Sequence, residues 1–231
     1  MSLRKVTTIV SILITSIFIT SCLGSDDDGA STTQNLGYLT ILNASPDSDG
    51  LKFYSNGEVL NSAPLNYNFL FGVYEPVGEK SITVRSGDSE DLTTLDLNVE
   101  LAQSYSVYAI NKFENLELVA YNDNFNIPSL DKSMIRFIQL SHNIPEVKVV
   151  LEHNSSSTDV GSFQFKQASS FIDVNSGNSM NVHLIDVETN DTIFTKKGIN
   201  LSSRKAYTIV SEGFYDSVDE GLDIDIQVIT H

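Results

Sequence analysis

The chain has 231 residues and a formal net charge of −16, from 14 Lys and Arg against 30 Asp and Glu; so acidic a surface repels phosphate backbones, which argues against a nucleic-acid partner. A single cysteine excludes an internal disulfide, and the absence of Trp beside abundant Thr, Val, Ile, Tyr and Phe fits a β-rich chain. The length suits two domains of roughly 100 residues, each able to build a core without disulfides or metal.

Arg4 and Lys5 precede an apolar stretch, Val6 to Ile19, which is short for a membrane span and reads as a secretory signal. It closes on Ile19-Thr20-Ser21-Cys22, which resembles the bacterial lipobox. That resemblance implies cleavage after residue 21, a diacylated Cys22 and an acylated new N-terminus; the alternative is an ordinary signal with an incidental cysteine. Several acyl chains anchor stably because each buried methylene contributes roughly 0.8 kcal/mol. Residues 22–36 then form a tether: Gly24 to Leu36 (GSDDDGASTTQNL) offers almost nothing to bury and reads as flexible and hydrated. Within it, Asp26-Asp27-Asp28 resembles the acidic export signal of Bacteroidetes lipoproteins, which implies an outer-membrane protein facing the cell surface. A periplasm-facing lipoprotein is the alternative.

Residues 37–128 read as a first β-sandwich. Leu39 and Ile41, then Leu51 and Phe53, alternate with Thr40 and Lys52, the period of half-buried strands. Asn56-Gly57 predicts a type I′ hairpin turn. Phe69 to Glu75 predicts a strand, followed by Ile82/Val84, by Leu95, Leu97 and Val99, by Tyr105 to Ile110 and by Leu116 to Tyr121, for seven or eight short strands in all. Asn126 to Ser133, with Pro128 and little periodicity, marks the boundary.

Residues 129–231 repeat the plan. Met134 to Val150 aligns with Tyr38 to Tyr54 without a gap, 96 residues later, and Ser45/Ser141 and Lys52/Lys148 are identical. Two copies of one small β-domain fit that period better than a solenoid does. Leu97-x-Val99-x5-Tyr105-x-Val107 matches Ile199-x-Leu201-x5-Tyr207-x-Ile209, 102 residues later. A tyrosine entering a strand just after a turn resembles the tyrosine corner of immunoglobulin-like sandwiches; a plain β-forming aromatic is the other reading. In the last strand Leu222, Ile224, Ile226 and Val228 alternate with Asp223, Asp225 and Gln227, predicting one buried and one acidic, wet face. The fold expected is therefore all-β, two tandem immunoglobulin-like sandwiches.

Ile41-Leu42-Asn43-Ala44-Ser45-Pro46-Asp47, Leu51 to Gly57 and Val77 to Val84 resemble the domain-of-unknown-function family 4397 of secreted and anchored bacterial proteins. Leu97 to Ala109 and Leu201 to Val210 resemble its closing strand pair. The second copy departs from the pattern, with Leu140-Ser141-His142-Asn143 at the first turn and no Asn-Gly after Val150. The resemblance implies a fold and a location, not a reaction.

Chemistry-bearing motifs are sparse. His142, His153, His183 and His231 are scattered without metal-ligand spacing and read as surface or turn residues, and no nucleophile elbow, P-loop or dinucleotide fingerprint occurs. Asp47-Ser48-Asp49-Gly50 and Asp216, Asp219, Glu220 are acidic loops that offer oxygen ligands without an EF-hand spacing. Asp191-Thr192-Ile193 and Asp216-Ser217-Val218 resemble a three-residue O-glycosylation sequon of Bacteroidetes. Tyr67, Phe69, Phe71 and Tyr74 form an aromatic stretch whose alternate members must face outward on a strand, where they would contact a ligand such as a sugar. The expectation is a non-catalytic lipoprotein without cofactor or metal, held to the membrane by its anchor and binding a protein or glycan at the cell surface. A periplasm-facing accessory subunit, pairing through its edge strands, is the alternative.

Overall fold

The computed structural model describes residues 35–87, 91–215 and 222–231. Cys22, the signal segment and the tether up to residue 34 lie outside the described residues, as do Asp216, Asp219, Glu220 and the second glycosylation sequon. The first half contains β1 (Leu36–Asn43), β2 (Leu51–Ser55), β3 (Glu58–Val59), β4 (Leu70–Pro76), β5 (Gly78–Ser86), β6 (Thr93–Val99), β7 (Ser104–Ile110) and β8 (Glu117–Asn122). The second contains β9 (Lys132–Gln139), β10 (Val147–His153), β11 (Ser156–Phe163), β12 (Ile172–Asn175), β13 (Gly177–Asp186), β14 (Thr192–Leu201), β15 (Ala206–Glu212) and β16 (Asp225–Thr230). Leu36, the last residue assigned to the tether, already opens β1.

Each half is a sandwich of two four-stranded sheets. Orders β3-β2-β5-β6 and β4-β1-β7-β8 make the first; β11-β10-β13-β14 and β12-β9-β15-β16 make the second. In both halves the opening strand runs parallel to the seventh, pairing Leu39 with Tyr105 and Ile135 with Tyr207. The alternating residues close each core: Leu39, Ile41 and Val107 meet Leu51, Phe53, Ile82 and Val84 in the first, and Ile135, Phe137 and Ile209 meet Val147, Val149, Val182 and Leu184 in the second. Both tyrosine corners form. Tyr105 Oη accepts from the Glu100 amide at 3.2 Å and Tyr207 Oη from the Ser202 amide at 2.9 Å, each five residues upstream.

Asn56 and Gly57 stand at φ 49° and 87° and join Ser55 to Glu58, the expected type I′ geometry. The second sandwich keeps this turn without Asn-Gly: Asn154 and Ser155, at φ 49° and 66°, join His153 to Ser156. A serine therefore occupies a left-handed position that favours glycine.

One expectation is corrected. The opening strands β1 and β9 are not half-buried, and the polar face of the last strand is wet only at its start, where Asp223 and Asp225 reach solvent, while Gln227 is partly and Ile229 fully covered. A third apolar cluster, Leu42, Ala44, Tyr108 and Ile110 with Ile138, Leu140, Val210 and Ile229, joins the inner sheet of one half to that of the other. That face of the opening strands is thus covered by the neighbouring sandwich, so four sheets stack and the described residues form one compact body. The facing surfaces are equivalent ones. Asn68 before β4 receives a hydrogen bond at its carbonyl from Gln227 of β16, and Lys166 before β12 receives one from the Tyr121 hydroxyl of β8; Asn68 and Lys166 both stand in the left-handed region, at φ 62° and 67°.

Candidate functional site

Polar side chains ring the apolar seam. Arg136 of β9 donates to Asp123 Oδ1, to the Asn122 carbonyl at 2.8 Å and to Thr208 Oγ1 at 2.9 Å, while Ser106 donates to Asp123 Oδ2 at 2.7 Å. The guanidinium lies over the Phe171 ring, 4.7 Å from its centroid. His231 Nε2 meets Thr208 Oγ1 at 2.8 Å, its ring packs against Phe125 and Phe171, and burial holds its pKa below the ordinary range. The four histidines are partly buried, and His142 and His153 each stand beside a turn. His142 packs against Phe165 and Phe214, with Nδ1 3.2 Å from Asn111 Oδ1, and burial lowers its pKa as well. His183 bridges Thr195 and Glu152, and His153 contacts Asn154.

At the opposite end of the seam Glu212 is wholly buried, and neither carboxyl oxygen has a hydrogen-bond partner among the described residues. Desolvation, reinforced by Asp225, pushes its pKa up to about 8. Strand parity aims it at the first sandwich, where burial and the charges of Glu212 and Asp225 raise the Tyr67 phenol.

The aromatic stretch divides accordingly. Tyr67 is tucked against the second sandwich, and Phe71 enters the first core, 6.0 Å from Phe53. Phe69 and Tyr74 are exposed, at 63% and 67%. Sequence reasoning missed Tyr38, which pairs with Tyr74 across the strands, ring centroids 4.9 Å apart. Tyr38 lies across Gly72, where a Cβ would come within 1.8 Å of its hydroxyl oxygen. Glycine at this position is what lets the tyrosine lie flat on β4; the unexplained Gly72 inside a predicted strand was the signal for it.

These side chains connect three cavities. A groove of about 450 Å³ lies between Phe69, Leu70 and the loop from Leu60 to Asn66. Leu70 also borders a second, of about 350 Å³, where Tyr38, Thr40 and Ser104 face Phe125, Thr230 and His231 across the seam. Tyr38 and Ser104 in turn border a third, of about 380 Å³, with Tyr74 and Gln103. The three adjoin in a row beside the sheet-edge strand β4, the first and second sharing Leu70 and the second and third sharing Tyr38 and Ser104, and make up a trough with Phe69 at one end and Tyr74 at the other. Its polar groups are not tied down: the hydroxyls of Tyr38, Thr40, Ser104 and Thr230 make no hydrogen bond among the described residues, and Gln103 Oε1 is buried without a partner.

The acidic loop at 47–50 has other work. Asp47 Oδ1 accepts from the Phe113 amide at 2.8 Å, Asp49 Oδ1 from the Tyr67 amide at 3.4 Å, and Ser48 is buried against Asn43. Thr192 of the first sequon is exposed at the start of β14.

The profile of the family described as "Domain of unknown function (DUF4397)" matches residues 37–150, which is the first sandwich and the opening of the second. No curated protein matches the chain. Among solved structures it is similar to the Bacillus anthracis TIE protein (10% identity, TM-score 0.26), covering 77% of this chain and only 34% of that one. It is also similar to CBMbc (family CBM26) from Eubacterium rectale Amy13K in complex with maltoheptaose (8%, TM-score 0.26; 84% and 96% covered) and to the tip fimbrial protein Mfa3 from Porphyromonas gingivalis (7%, TM-score 0.29; 84% and 99%). All three superpositions are loose.

Proposed function

The chain is a DUF4397-domain protein, and from that footing we propose that it is a non-catalytic, lipid-anchored binding module that holds an elongated ligand along β4. The observation that carries this reading is the trough itself: two exposed aromatics, Phe69 and Tyr74, at the ends of a row of adjoining cavities on a sheet edge. Exposed rings bring large contact area with few rotors to freeze, and apolar concavities with a few convergent polar groups are the ordinary form of ligand sites. The anchor rests on Cys22 and its lipobox, and surface exposure on Asp26-Asp27-Asp28.

The test presents the soluble chain without residues 1–22 to arrays of glycans and matrix proteins, with Phe69→Ala and Tyr74→Ala alongside. Binding that both variants weaken tenfold or more supports the reading; binding that neither variant changes removes it. Protease treatment of intact and lysed cells reads the location, with loss from intact cells expected.

One observation favours a second reading. The outer edge of β4 has no ladder partner among the described residues, so a strand from a larger envelope protein can add there. Crosslinking in cells that recovers a defined protein through β4 would favour that accessory role.

A further inference from the structure

The middle cavity of the trough differs from the two ends because both sandwiches build it. Thr40 and Ile229 form a buried floor, and Leu70, Phe125 and Thr230 are exposed at its rim. Its side chains include no carboxylate, lysine or arginine; the His231 imidazole is held toward its neutral form by burial. Apolar surface comes from Tyr38, Leu70, Phe125 and Ile229, and polar surface from the unengaged hydroxyls of Tyr38, Thr40, Ser104 and Thr230.

Uncharged walls, flat aromatic surface and several hydroxyls free to donate or accept define a ligand with the same mixed character. A charged group placed here would lose hydration and find the nearest charges, Arg136 and Asp123 behind His231, already paired with each other, which is costly. A purely apolar group would strand the hydroxyls, each of which forfeits a hydrogen bond to water. A sugar ring meets both demands, presenting C–H surface to the aromatics and hydroxyls to the rim. Resting on the binding-module reading above, we infer that the seam cavity is the selective subsite for a neutral, linear glycan, and that its occupant touches both sandwiches at once. The chain's net charge of −16 acts in the same direction, since it repels anionic polysaccharides before contact. The cavity volume, at the small end of the range for ligand sites, suits a short segment of the chain rather than the whole of it.

The experiment titrates the full chain in detergent, by calorimetry, with a neutral linear glucan heptasaccharide and with a uronic-acid oligosaccharide of equal length. The neutral ligand binds and the anionic one is at least tenfold weaker. Thr230→Trp fills the cavity from its exposed rim without touching a core, and lowers affinity for the neutral ligand at least tenfold. Ser104→Ala, which removes one hydroxyl, costs about fivefold. If Thr230→Trp binds like wild type while Tyr74→Ala does not, the subsite is elsewhere on the trough and the binding-module reading survives. Equal affinity for the two ligands overturns the neutral preference. If no glycan of either class binds while a protein ligand does, through Phe69 and Tyr74, the inference falls and the broader reading stands; if nothing binds, both fall.

Discussion

Arg136 of the second sandwich and Asp123 of the first make an ion pair at 2.5 Å that is almost sealed from solvent, the side chains 4% and 1% exposed. Burying two charges costs several kcal/mol in desolvation, and the pair is tolerated because Ser106, Thr208 and the Asn122 carbonyl satisfy much of the remaining hydrogen-bonding capacity. Removing one partner is therefore worse than removing both. Arg136→Met should lower unfolding free energy by about 3–5 kcal/mol. The double variant Arg136→Met with Asp123→Leu should recover a large part of that loss in the same urea titration, and a double variant weaker than the single would contradict the account.

Glu212 sets a pH dependence. Its carboxyl is raised from 4.5 to about 8, first by burial and then by Asp225, so the folded state keeps a proton that the unfolded state releases. The stability it contributes is complete below about 4.5 and declines as pH rises toward about 8. His142 and His231, both lowered by burial, act with the opposite sign, favouring the folded state as pH rises through their range. The difference between wild type and Glu212→Gln isolates the carboxyl. That variant should match wild type near pH 4.5 and exceed it by about 1–3 kcal/mol at pH 8, the amide carrying no charge to bury. Parallel denaturation curves across this range would refute the assignment.

The two tyrosine corners are chemically equivalent, each a phenol oxygen accepting one backbone amide five residues upstream. Tyr105→Phe and Tyr207→Phe keep the ring in its core and lose only that bond. Each should cost about 1 kcal/mol, and the costs should add because the sites belong to different sandwiches.

The paired hairpin turns give opposite results for opposite substitutions. Ser155→Gly removes a left-handed strain and should gain about 0.5 kcal/mol, net of the extra freedom glycine adds to the unfolded chain. Gly57→Ala introduces that strain, at φ 87°, and should cost about 1 kcal/mol in thermal unfolding.

Strand positions, the two copies and the Asn56-Gly57 turn were legible because period-2 alternation and turn chemistry are local. The seam between the sandwiches was less so, although it left a trace. Ile41-Leu42, Val107-Tyr108-Ala109-Ile110, Phe137-Ile138 and Ile209-Val210 are continuous apolar runs, and such runs belong to strands buried on both faces. Attention to the alternating members alone hid Leu42, Tyr108 and Val210. In the trough, the aromatic stretch from Tyr67 to Tyr74 was visible, but which of its members face outward depends on the second sandwich. Tyr67 points at a carboxyl 145 positions away in sequence, and Tyr38 joins the site only through strand pairing. The turn at Asn154-Ser155 was missed because serine carries no preference for positive φ, and pairing of His153 with Ser156 imposes it.

The meeting of equivalent faces carries a consequence for how this interface can be written in sequence. A symmetric pair of separate subunits must answer every residue with its own copy, so an arginine that suits an aspartate on one side recurs on the other. Here the register places Thr40 where the second half has Arg136, and His231 where the first has Asp123. Joined in one chain, the copies are released from that constraint. One junction is ionic, through Arg136 and Asp123, and the other is a hollow bordered by Thr40 and His231.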